Sequence, residues 1–163
     1  MPYTSKVFSS QDYARLASLE ARSVKIWLCR NGWKKNSELS ARYSVREWWE
    51  LGGPEIQNKY IVQSVPVEDG RSDWLNELFF CLFGIHDQYP RDILEEMYSI
   101  QRDGQETLTV GEKVLYWRYG ATGILQIFSD GGFGTAFSPG ARVELDSGKN
   151  AWFPLKFLAK VNP

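Results

Sequence analysis

Histidine is almost missing from this 163-residue chain: His86 stands alone. Cysteine and methionine are nearly as scarce, with two of each. One His and two distant cysteines, Cys29 and Cys81, cannot assemble a closed structural zinc site. They do not suggest the disulfide framework of a small secreted domain either. Both cysteines fall inside apolar helical patterns, the ordinary setting of a buried free thiol. Long apolar runs are also lacking. The longest, Leu78 to Phe83, is far short of the ~20 residues that span a bilayer. Met1 to Ser10 has no apolar h-region, so no signal peptide is expected. Nor is there an excess of one charge: 19 Lys/Arg against 20 Asp/Glu leave a net −1. Overall charge therefore predicts no partner. The expectation is a soluble cytoplasmic protein with no metal, no cofactor and no membrane partner.

Aromatic residues are what the chain has in plenty, at 15% with seven Trp. Such side chains bury large areas and also dominate interface hot spots. Charge is unevenly spread. Residues 1–50 carry nine Lys/Arg and five Asp/Glu, residues 51–106 four and eleven, and residues 107–163 six and four. The middle segment is thus the acidic one. It is either a solvated face or a surface that steers a basic partner.

Up to about Gly104 the apolar spacing is mostly helical. Ser9 and Ser10 can cap a helix in which Tyr13, Ala17, Ala21, Val24 and Leu28 form one stripe, ended by Asn31-Gly32. Trp33 to Ala41 reads as a polar connection. Ser44, with Glu47 three residues on, reads as a capping box for a short helix over Val45 to Leu51, stopped by Gly52-Gly53-Pro54. Tyr60 to Val67 is β-prone but holds Pro66, which suits an edge strand. Glu68-Asp69-Gly70 is a turn. Ser72 caps a helix over Asp73 to Phe83, apolar almost all round and ended by Gly84. Pro90 suits the first position of a helix running to about Gln101, with Ile93, Leu94, Met97 and Ile100 inward and Glu95 and Glu96 outward.

After Gly104 the periodicity changes. Short β-prone runs alternate with Gly-containing turns: Glu112–Tyr119, Ile124–Phe128, Phe133–Phe137, Ala141–Leu145, and Trp152–Val161 with room for a 3₁₀ turn. Ala121-Thr122-Gly123 breaks the first two runs, and Ser129-Asp130-Gly131-Gly132 signals a hairpin. Five short strands in such a span fit a small antiparallel barrel. The fold class expected is α+β: a mainly helical domain over 1–104, then a five-stranded antiparallel barrel over 105–163.

This C-terminal third resembles the broad SH3-like and Tudor-like family of small barrels. GEKVLYW leads in, GILQIF and GTAF make the central hairpin, GARVEL follows and WFPLKFL closes. The resemblance covers this third only. It implies a module that binds peptides, methylated or Pro-rich tails, nucleic acids or neighbouring domains, and that seldom catalyses. The acidic loop with which SH3 domains meet basic residues beside a Pro-rich ligand is not evident between the first two strands.

Few residues suggest chemistry. His86 precedes Asp87 and follows Cys81 by five residues, the one Cys/His combination on offer; such partners are recognised by geometry and not by proximity in sequence. Gly131-Gly132-Phe133-Gly134 lies between two β runs, not at a helix start, so it is a hairpin and not a phosphate cradle. Cations mixed with rings occur twice, at Trp33, Lys34, Lys35, Arg42, Tyr43 and Arg46, and at Lys113, Tyr116, Trp117, Arg118 and Tyr119. That mixture suits phosphate neutralisation and base stacking. Adjacent Trp48 and Trp49 on a helix would point about 100° apart, so burying both needs two covering surfaces; a Trp that stays exposed would mark an interface.

The reading is a non-catalytic interaction protein, an adaptor, accessory subunit or inhibitor. Its expected contacts with a protein partner are Trp48, Trp49, Tyr116, Trp117, Arg118, Tyr119, Glu95 and Glu96. A nucleic acid is the second candidate partner, met by the cations and rings of the barrel.

Overall fold

A computed structural model of the chain describes residues 8–41, 46–52, 60–66, 69, 72–129 and 139–163. The chain divides into two compact units, Met1–Asp103 and Gly104–Pro163. The expected hairpin over Ser129–Gly132 (beyond Ser129), the run Phe133–Phe137, and Arg42, Tyr43 and Ser44 lie outside the described residues.

The first unit holds helices α1 (Ser10–Ala17), α2 (Ala21–Arg30), α3 (Ser37–Ser40), α4 (Ser72–His86) and α5 (Pro90–Asp103). It also holds strands β1 (Trp33–Lys35), β2 (Arg46–Leu51) and β3 (Tyr60–Pro66), antiparallel in the order β1-β2-β3. Among the described residues β3 is an edge, as Pro66 suggested. Side chains from α1, α2, α4, α5 and all three strands meet in one core, including Leu16, Trp27, Leu28, Trp33, Trp49, Val65, Leu78, Phe79, Leu82, Ile93, Leu94 and Met97.

The single long helix expected after Ser9 is two helices. Ser9 caps the first reciprocally with Asp12: the Asp12 N–H donates to the Ser9 hydroxyl at 3.2 Å and the Ser9 N–H to the Asp12 carboxylate at 2.8 Å. The break at Ser18–Glu20 is fixed from elsewhere in the chain. The Gln101 side chain accepts from the Glu20 N–H and donates to the Ser18 carbonyl, and Asp69 accepts from the Ala21 N–H. These groups satisfy backbone that a continuous helix would have paired internally. Arg91 on α5 holds buried Asp12 at 2.9 Å. Burial pushes the Asp12 carboxyl up, but the Ser9 N–H and the Arg91 guanidinium outweigh it and hold it below its ordinary value.

The polar connection expected over Trp33–Ala41 contains β1 and α3, and the described part of the expected helix Val45–Leu51, from Arg46 on, is β2 instead. Along β2, Glu47 and Trp49 are buried while Trp48 and Glu50 are half-buried, the two-residue alternation of a strand. Glu47 does not close a capping box. Its carboxylate lies 3.2 Å from the Lys25 ammonium on α2 and 3.4 Å from that of Lys35 on β1, and accepts from the Trp49 indole at 3.0 Å. Tertiary charge pairing and two aromatic side chains that suit a strand override the local cap. α4 runs through Gly84 and stops at His86, where Asp87 takes a positive φ of 51°.

The second unit is a five-stranded antiparallel sheet of β4 (Lys113–Tyr116), β5 (Ala121–Ser129), β6 (Gly140–Leu145), β7 (Asn150–Pro154) and β8 (Leu158–Lys160), in the order β7-β6-β5-β4-β8. β7 and β8 are its edges among the described residues, so the sheet is not closed. A 3₁₀ turn, Leu155–Phe157, leads into β8. Leu108, Val114, Leu125, Ala141, Val143 and Leu158 form its core. Ala121-Thr122-Gly123 is strand and not a break. Gly123 sits where a Cβ would meet the Glu144 carbonyl oxygen at 2.3 Å, so the glycine allows β5 and β6 to approach.

Candidate interaction surface

One end of the C-terminal sheet gathers rings and cations. β4 ends at Tyr116, and a tight turn follows in which the Gly120 N–H returns to the Tyr116 carbonyl at 2.9 Å. The turn is tied to the 3₁₀ segment by the Trp117 N–H, which donates to the Phe157 carbonyl at 3.1 Å. β7 and the 3₁₀ turn deliver Phe153, Lys156 and Phe157 to the same place. Tyr116 and Phe153 lie 4.4 Å apart between centroids and 33° from parallel. Tyr119 and Phe157 lie 5.5 and 6.2 Å from Tyr116.

Two cations rest on this cluster. The Arg118 guanidinium is 4.7 Å, and the Lys156 ammonium 5.1 Å, from the centroid of Phe157. Such contacts contribute about 0.5–1 kcal/mol each at exposed positions. Neither cation has a carboxylate partner among the described residues. Burial pushes the Tyr116 phenol above its ordinary value, against the pull of Arg118.

No family model, curated protein or solved structure matches this chain.

Of the residues singled out in the sequence, Tyr116, Arg118 and Tyr119 come together here, with Tyr119 40% exposed. Trp117 belongs to the packing beneath. It is 9% exposed, its ring meets Phe157 edge-on at 5.4 Å, and its indole donates to the Lys156 carbonyl at 3.2 Å. Phe153, Lys156 and Phe157 were not singled out. Their only signal was the ring-rich closing run WFPLKFL, and the pairing of β7 with β6 and β8 with β4 gives them their place.

The other expected contacts fare differently. Trp49 has no exposed surface and is part of the N-terminal core. The expectation that it anchors a partner is corrected, because on a strand Trp48 and Trp49 point to opposite faces and the inward one is buried. Trp48 is half-buried. Glu95 is paired with Arg15, while Glu96 accepts from the Trp27 indole at 2.6 Å and from Gln88 at 2.8 Å. Both are exposed, yet both tie α5 to its own surroundings. Of the first cation-and-ring cluster, Trp33 is buried, Lys35 is held by Glu47 and Lys34 is exposed, while Arg42 and Tyr43 lie outside the described residues.

Cys81 and His86 are not brought into a catalytic pair. Five residues apart on α4, they point about 140° apart around the helix. The Nε2 atom of His86 accepts from the Trp33 indole at 2.9 Å. Burial, helped by Glu77, pushes the Cys81 thiol up, the opposite of an activated nucleophile. Among the described residues no group of three His, Cys, Asp or Glu side chains could hold a metal ion. No described helix is long and apolar enough to cross a membrane.

Proposed function

We propose that the chain is a non-catalytic, cytoplasmic interaction protein whose C-terminal unit docks a protein partner on the Tyr116–Tyr119–Phe153–Phe157 surface. The observation that carries this reading is the convergence of four rings and two cations, without carboxylate partners among the described residues, at one end of a small sheet. Half-exposed rings give contact area at low entropic cost, and cations at their rim give orientation. We also read the sheet as an SH3-like barrel. Supporting this are the five antiparallel strands, the edge strand β8 returning beside β4, and the 3₁₀ turn before it.

A photo-crosslinking residue in place of Tyr119 tests the docking surface. In native cells it should give a discrete protein adduct that the same probe at Lys149, on the turn after β6, does not give. Equal adduct patterns at both positions, or none at Tyr119, would remove the reading.

Arg118 and Lys156 beside open rings also suit a nucleic-acid strand. Titration with single-stranded DNA and RNA at two salt concentrations decides this: a steep salt dependence favours it, and no binding at low salt ends it.

A further inference from the structure

We infer that the partner meets this surface with a peptide segment that carries Asp or Glu side chains beside an apolar residue. The inference rests on the reading that the ring surface is the docking site. The described side-chain carboxylates of the C-terminal unit have partners other than Arg118 and Lys156. Glu106 accepts from the Lys160 N–H, Glu112 from the Thr109 N–H, Glu144 from Gln126, and Asp146 pairs with Thr122 and Lys113. Arg118 and Lys156 are exposed and face Phe157 with no counter-charge among the described residues. Arg118 also hydrogen-bonds the Tyr116 phenol, but a guanidinium has five N–H donors and an ammonium three, so donors are left that a carboxylate can take. The rings beside the cations offer an apolar floor. Charge at this surface therefore has the sign that welcomes an acidic segment and repels a basic one. The choice of a peptide over a nucleic acid follows from the small number of cations and from the way the rings pack. Tyr116 packs against Phe153 at 4.4 Å, tilted by 33°, which leaves less free ring face than a base-stacking platform presents.

Selection of a random displayed peptide library on the immobilised full chain tests the inference, with the R118E/K156E and Y119A variants as comparisons. Both cations and Tyr119 are exposed, and circular dichroism checks that the variants fold. The pool selected on the unaltered chain should be enriched in Asp and Glu around an apolar position. An exposed ion pair changes affinity by up to about fivefold. Peptides from that pool should therefore bind R118E/K156E about tenfold more weakly or worse, and the pool selected on that variant should turn basic. A neutral or basic pool on the unaltered chain, still lost in Y119A, would overturn the acidic preference and leave the docking surface standing. An acidic pool that binds all three proteins alike, or a library that yields no pool above the bare support, would overturn both.

Discussion

Removing the Glu47 carboxylate should unfold more of the N-terminal unit than any single surface change. Glu47 is buried and lies within 3.2 Å of the Lys25 ammonium, 3.4 Å of the Lys35 ammonium and 3.0 Å of the Trp49 indole. Lys25 is buried with it, whereas Lys35 keeps a larger share of its side chain at the surface. Breaking a buried pair by deleting one partner costs about 3–5 kcal/mol, because the remaining charge is left without compensation. Glu47→Gln keeps the shape and an acceptor for Trp49, so its expected cost is the lower end, about 3 kcal/mol. Lys25→Met combined with Glu47→Leu removes both charges and should be more stable than Glu47→Leu alone, since an apolar pair of similar size replaces an ion pair at little net cost. Hydrogen exchange read by mass spectrometry is the assay. Protection of β2 and α2 amides should fall by the stated amount, while β5 and β6 stay unchanged. A Glu47→Gln loss below about 1 kcal/mol, or a double variant whose losses simply add, would refute the claim that this is a coupled buried cluster.

Gly123→Ala should cost several kcal/mol or prevent folding of the C-terminal sheet, because the new Cβ would lie 2.3 Å from the Glu144 carbonyl oxygen; a urea midpoint close to that of the unaltered chain would disprove the close approach. Gly84→Ala should stabilise by about 0.5–1 kcal/mol, since the residue is helical and nothing lies within 4 Å of the added Cβ; a lower thermal midpoint would contradict that geometry. Stability should also depend on pH through His86. Burial lowers its pKa below 6.5, against the opposing pull of Glu96, so the unfolded chain takes up this proton more readily than the folded one. The stabilisation is complete above pH 6.5 and is lost as pH falls through the depressed folded value, with a slope of at most about 1.4 kcal/mol per pH unit. His86 is the only histidine, so the part of the slope absent from His86→Gln isolates it; identical urea midpoint profiles for the two proteins would end this account.

How far the sequence could be read depended on where each element finds its partners. Ser9 and Asp12 cap α1 within one turn, and Pro90 opens α5 at its own position. The runs around Val114, Leu125 and Val143 show their strands through short-range alternation. By contrast, the stripe from Tyr13 to Leu28 is consistent with one helix, and only Gln101, 83 residues from Ser18, and Asp69 divide it in two. Ser44 and Glu47 have cap spacing, yet Glu47 serves Lys25, Lys35 and Trp49 in a sheet. Gly84 looks like a helix stop, but α4 continues because Ile85 packs against the core and His86 reaches Trp33.

Taken alone, the order of residues determined that helices dominate before Gly104 and Gly-punctuated strands after it, that a large zinc or disulfide framework is out of reach, and that rings collect near Tyr116. These follow from local periodicity and from side-chain chemistry that needs no distant neighbour. Only the tertiary structure decided that Trp49 and Trp117 go inward, that Glu47 is a buried counter-ion, and that Phe153, Lys156 and Phe157 complete the Tyr116–Tyr119 surface. Each of those outcomes depends on strand pairing and on contacts between residues far apart in sequence, whose energies no local pattern contains.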